Sequence, residues 1–266
     1  MRRREGAWAM EYGDAQPRQA RECFQAERLT HTIQMSTAGS RIDAKELGVL
    51  LGVFVAVAAL WGTPVVTPLK ILVVLLHEIS HGIAAVLTGG EILQMVVDAN
   101  QGGRCWVQGG NLFVILTAGY LGSMLWGALI LIVAARTRYD RAVSAAIGLF
   151  LLIITLLYVR SAFGFSVGLL FSVAMIMAAW KLPVGVNDIV LKVIGITSCL
   201  YAILDIIDDV LRRPGIGSDA DMLASHTGIP SLVWGSLWVA AAIAAALTSL
   251  WIAAKGERRS TAPTVP

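Results

Sequence analysis

The sequence predicts an all-α polytopic membrane protein with about six or seven transmembrane helices and a small β-hairpin-like insertion after the second. Three observations carry that prediction. Of the 266 residues, 56% are hydrophobic and 15% are charged, whereas a soluble domain is nearer a quarter charged. Several apolar runs approach the roughly 20 residues that a helix needs to cross a bilayer. The basic residues gather at the two ends and in short loops, where membrane proteins keep them. The net charge of +3 forms no basic stripe interleaved with aromatics, so no nucleic-acid partner is expected. Cys23, Cys105 and Cys199 are odd in number and far apart. They imply neither a disulfide framework nor a cysteine-rich metal site, and Cys199 is expected to be core packing.

Residues 1–45 are polar, rich in Arg and Gln, and lack an apolar segment behind MRRREGAWAMEYGD. They read as a loosely ordered tail rather than a signal peptide, with Met35 as an alternative start. Residues 46–254 form the membrane domain, and 255–266 a short basic tail. The first span is expected over 46–62. Thr63-Pro64 and Thr67-Pro68 then mark a turn, because proline and the residue before it resist helix. The second span, 69–87, ends at Thr88-Gly89-Gly90. Residues 91–110 are too polar to cross. Their two β-rich pieces, ILQMVV and RCWVQ, flank Asn100-Gln101-Gly102-Gly103 and predict a hairpin. Such backbone is tolerated at membrane depth only where protein or a water-filled cavity surrounds it.

The third span, 112–135, carries Gly119, Ser123 and Gly127 at every fourth position, a spacing that lets helices approach closely. The fourth and fifth, 142–159 and 163–180, are joined by so few residues that one is expected to be tilted, short or re-entrant. The sixth covers 189–210, and the seventh 232–254. The N-terminal tail, the loop with Arg136, Arg138 and Arg141, and the C-terminal tail all carry excess positive charge. Seven crossings cannot put all three on one side, so charge alone leaves the orientation open.

Near the end of the second span stands LLHEISHGIAAVL. His77 and His81 are four apart and share one helix face. Two imidazoles at that spacing can hold one metal ion, with Glu78 beside the first as a general base toward water. Ionisable groups inside a membrane are expensive and functional by default. A catalytic zinc takes three protein ligands, so a third is needed. YAILDIIDDVL offers Asp205, Asp208 and Asp209 at i, i+3 and i+4 on one face. Asp205 is deepest in the apolar run and is the first choice; Asp208 and Asp209 are alternatives. Asp188 reads as a first-turn acid, and His226 as a weaker ligand candidate in a polar loop. Tyr120 and Asn111 are candidate donors to a developing oxyanion.

HEISH in a membrane helix, a later helix with LDI where the family has Leu-Asp-Gly, and the polar β-like piece between them resemble the site-2 protease family, in a compact divergent bacterial branch. The run LTAGYLGSMLWG with DIIDD is similar to that branch; the family's Asn-Pro pair is absent and Ile206 stands for its glycine. The resemblance implies an intramembrane zinc metalloprotease in a bacterial plasma membrane, with His77, His81 and Asp205 as Zn2+ ligands and Glu78 as base. It implies a membrane-tethered protein as substrate, paired by strand addition to the β piece. A metal-binding transporter or sensor, or an inactive scaffold, is the competing expectation. A transporter would repeat its polar positions in two halves, and no second copy of HEISH exists.

Overall fold

The computed structural model describes residues 42–255 apart from 214 and 216. The expectations for the N-terminal tail, for Met35 and for the C-terminal tail beyond Lys255 lie outside the described residues. The helices are α1 (Ala44–Ala59), α2 (Thr67–Leu87), α3 (Leu112–Arg136), α4 (Asp140–Tyr158), α5 (Ala162–Lys181), α6 (Val184–Ile206), α7 (Asp219–Thr227) and α8 (Ser231–Ala254). A π-helical turn, Ile207–Arg212, continues α6. The hairpin strands are β1 (Glu91–Val97) and β2 (Gly103–Gln108).

Among the described residues, six helices are long and apolar enough to cross a membrane: α2 to α6 and α8. The first expected span is shorter than its apolar run. α1 has 16 residues, about 24 Å at 1.5 Å per residue, against a hydrocarbon core of about 30 Å. The pair expected to contain a tilted, short or re-entrant member is two helices of 19 and 20 residues, both long enough to cross. They pack at small residues, Gly148 against Ser172 and Ile176, and Gly168 against Thr155.

α2 lies at the centre, buried along most of its length. α3 and α6 cross closely where Gly127 meets the backbone of Gly195 and Cys199. Ser198 donates to the Ser123 carbonyl beside that crossing, at 2.8 Å. At one end of the bundle the Asp43 amide donates to the Ala254 carbonyl at 2.9 Å, and Arg136 donates to the Lys255 carbonyl. The start of α1, the Arg136 turn and the end of α8 therefore share one end of the molecule, an arrangement that seven full crossings could not give. Near the same end buried Lys192 bridges Glu46 at 2.6 Å and Asp188 at 2.9 Å, tying α1 to α6. Asp188 is thus an ion-pair partner within α6.

The expected hairpin forms, antiparallel, pairing Glu91 with Gln108 through Val97 with Gly103. It lies along α2, where Gly82 gives Ile92 and Met95 room. β1 is held on its other side too. The Arg160 amide donates to the Met95 carbonyl at 2.9 Å. Ser161 Oγ takes the Val97 amide at 3.1 Å and donates to its carbonyl at 2.9 Å. Among the described residues β2 is paired on one side alone.

Candidate metal centre

His77 and His81 project from the middle of α2 toward α3. His81 is 7% exposed and Glu78 is 4% exposed. His81 Nδ1 lies 2.7 Å from the Ile115 carbonyl. A carbonyl only accepts, so Nδ1 carries the proton and Nε2 presents its lone pair to the site, the arrangement by which second partners orient metal-binding imidazoles.

The carboxylate facing those imidazoles is Asp219. Its Oδ2 stands 3.0 Å from His77 Nε2 and 3.2 Å from His81 Nε2. Among the described residues, His77, His81 and Asp219 form the group of three ligand atoms within 4.8 Å of one another. Tetrahedral ligands at zinc distances stand about 3.4 Å apart, close to the two separations observed. The site also has a cradle. A Cβ on Gly119 would come within 2.6 Å of Asp219 Oδ2 and 2.5 Å of the His81 ring, and nearer still to His77. The missing side chain of Gly119 therefore leaves space where the three ligands converge. The residues present fit a small divalent cation.

Local structure explains how Asp219 arrives there. Ser218 caps α7: its Oγ accepts from the Asp221 amide at 3.3 Å, and Asp221 Oδ2 accepts from the Ser218 amide at 3.2 Å. That reciprocal box fixes the helix start and sets Asp219 as its first residue. Ala220 and Leu223, fully buried, seat α7 on Leu116 and Tyr120 of α3.

Asp205, expected as the third ligand, lies partly buried on α6 and is not in the group that closes on the imidazoles. Its alternatives are engaged elsewhere. Asp209 accepts from the Tyr120 hydroxyl at 2.8 Å and from Arg213 at 2.7 Å, and Asp208 pairs with Arg213 at 2.6 Å. His226 is exposed on α7 and outside the group. Tyr120 spends its hydroxyl on Asp209, and Asn111 caps α3 by accepting from the Val114 amide at 3.2 Å. Asp219 was missed because it stands in a polar loop, where no apolar run draws attention to an acid. Ser218-Asp219-Ala220-Asp221 did carry a signal, a helix start ahead of an apolar residue.

Glu78 lies against the hairpin. A Cβ on Gly103 would fall 2.8 Å from its carboxyl carbon, so glycine at the head of β2 lets backbone lie on the carboxylate. Cys105, two residues on, is partly buried. Burial and then the charge of Glu78 push its thiol up to about 12, so it stands as a neutral thiol rather than a nucleophile or ligand.

A Peptidase M50B-like family model matches residues 50–249, well over half the chain and all of the group just described. No curated protein and no solved structure matches.

Proposed function

The chain belongs to the Peptidase M50B-like family, a site-2 protease family of membrane metallopeptidases, and from that premise we propose that it is a zinc-dependent intramembrane endopeptidase. Its substrate is a membrane-tethered protein, cut in or near a transmembrane segment, and its setting is the plasma membrane of a bacterium. The observation that carries the reading is the convergence of His77, His81 and Asp219 beside Glu78, within a helix of membrane-spanning length.

We assign His77, His81 and Asp219, rather than Asp205, as the protein ligands. Zinc held there would polarise the scissile carbonyl and acidify water. Glu78 takes one proton from the attacking water as the carbon–oxygen bond forms, and delivers it to the amide nitrogen as the carbon–nitrogen bond breaks. Burial of Glu78 under Gly103 keeps bulk water from competing for that proton. The edge of β2 that has no strand partner among the described residues begins at the residue lying on Glu78. An unwound substrate added there as a strand would satisfy its backbone at membrane depth and lie beside the base.

The test pairs metal content with cleavage. Protein purified in detergent should hold a single zinc by mass spectrometry, and His77→Ala should lose it. Membrane proteomes of cells carrying wild type or Glu78→Gln should then differ in fragments of membrane-tethered proteins. Identical proteomes, with metal and fold intact in Glu78→Gln, would refute the protease reading.

A further inference from the structure

The two ligand imidazoles are steadied in different ways. His81 is fixed by the Ile115 carbonyl at 2.7 Å. Among the described residues no such partner meets His77 Nδ1; only its Nε2 is engaged, toward Asp219. The ring of His77 is instead wedged between two others. His81 stands edge-on to it with centroids 4.7 Å apart, and Tyr120 edge-on at 4.9 Å.

Tyr120 is itself held from every side. It is 2% exposed, with Trp238 packed behind it at 5.5 Å. Its hydroxyl donates to Asp209 Oδ2 at 2.8 Å. The other oxygen of Asp209 takes Arg213 at 2.7 Å, and the same Arg213 nitrogen reaches Asp208 at 2.6 Å. Asp208 and Asp209 lie on the π-helical turn Ile207–Arg212. Such turns are rare and are frequent at functional sites. Continuous hard contact therefore runs from an exposed ion cluster, through a buried phenol, to a ligand ring.

We propose that Tyr120 is the positioning residue of His77, and that Asp209 on the π turn, paired with Arg213 just beyond it, sets the position of Tyr120. This rests on the zinc-site reading above. It gives the aspartates of DIIDD a role in the centre without making them ligands. Partners that orient a metal ligand are worth about 10–100-fold in affinity, and the packed ring stands where a hydrogen-bonded partner usually would.

The full chain in detergent tests this by zinc affinity, measured in competition with a chelator, and by the absorption spectrum of the cobalt-substituted protein. Tyr120→Phe and Asp209→Ala should each weaken zinc by about tenfold, the low end of that range. The double variant should be no worse than either, because both changes break one bond. Tyr120→Leu, which removes the flat face, should approach about 100-fold and shift the cobalt bands, a change that looser packing away from the ion would not produce. Wild-type affinity with unaltered cobalt bands in Tyr120→Leu overturns the proposal. Strictly additive losses in the double variant overturn the role of Asp209. Should Tyr120→Leu fail to fold, Asp209→Ala decides, since it leaves the apolar core untouched; wild-type affinity there overturns the proposal. A wild-type chain that takes up no zinc would refute the site reading itself, and so is distinct from unchanged affinity in the variants.

Discussion

Among the described residues, two polar clusters within this apolar bundle are built on opposite principles. Near the end that gathers Asp43, Arg136 and Lys255, Lys192 lies between Glu46 and Asp188 at 2.6 and 2.9 Å. That cluster carries its own cation. At the HEISH segment, Asp219 faces two imidazoles, with Glu78 buried alongside, and among the described residues no Lys or Arg pairs with either acid. Both clusters meet the rule that buried charge needs compensation. One meets it from within, whereas the other converges on a space that Gly119 keeps clear. Burial of charge alone does not mark function in a membrane protein. A polar group whose geometry asks for a cation that the chain does not supply does.

The sharpest way to break the contrast is to change each cluster and read both metal and stability. Glu78→Gln should cut peptide-bond hydrolysis by roughly 10²–10⁴-fold while zinc content stays at the wild-type level; loss of zinc along with activity would make Glu78 part of the binding group instead. Lys192→Met should do the reverse. Only Lys192 is fully buried and the two carboxylates left behind are partly exposed, so the loss is smaller than for a fully buried pair; the unfolding temperature in detergent should drop modestly while zinc content is unchanged. A Lys192→Met protein that loses zinc at a temperature where it remains folded would show that the two clusters are one system.

Gly119→Ala sharpens the contrast from the other side. Alanine favours a helix over glycine by roughly 1 kcal/mol, so α3 itself gains. The added methyl would occupy the ligand cradle, and zinc should be lost from a chain that keeps its helical circular dichroism. Retention of zinc at wild-type affinity would move the ion away from the point where these ligands converge.

How much of this was legible in the sequence follows from the same physics. The six long helices, the hairpin, and His77, Glu78 and His81 were readable, because apolar length, β-rich pieces around a turn and i, i+4 spacing are local properties. α1 read as a full span, because apolar character counts residues whether or not they are helical; the helix stops at Ala59. Asp219 was not readable, because its nearness to His77 is a contact between residues far apart in sequence that no local pattern encodes. The Lys192 cluster was missed too, since Glu46 and Lys192 are far apart in sequence and meet only through helix packing.

Asp205 gives the smallest expected effect and the finest discrimination. It lies deepest in its apolar run, which made it the first choice for a ligand, yet depth in sequence is not proximity in space. The carboxylate that reaches the imidazoles comes from outside the spans, on α7. Asp205→Asn keeps shape and volume and removes only charge. If Asp219 is the ligand, that change should weaken zinc by less than about tenfold, below the range for groups that orient a ligand. Asp219→Asn, an equally conservative change, should exceed about 100-fold, above that range. Isothermal titration of the two variants side by side in detergent decides between them. The reverse order would return the third ligand to α6 and reduce Asp219 to a hydrogen-bond partner of the histidines. Equal losses would mean that the carboxylates of α6 and α7 share the ion, and the cradle at Gly119 would then hold a larger coordination sphere than three ligands.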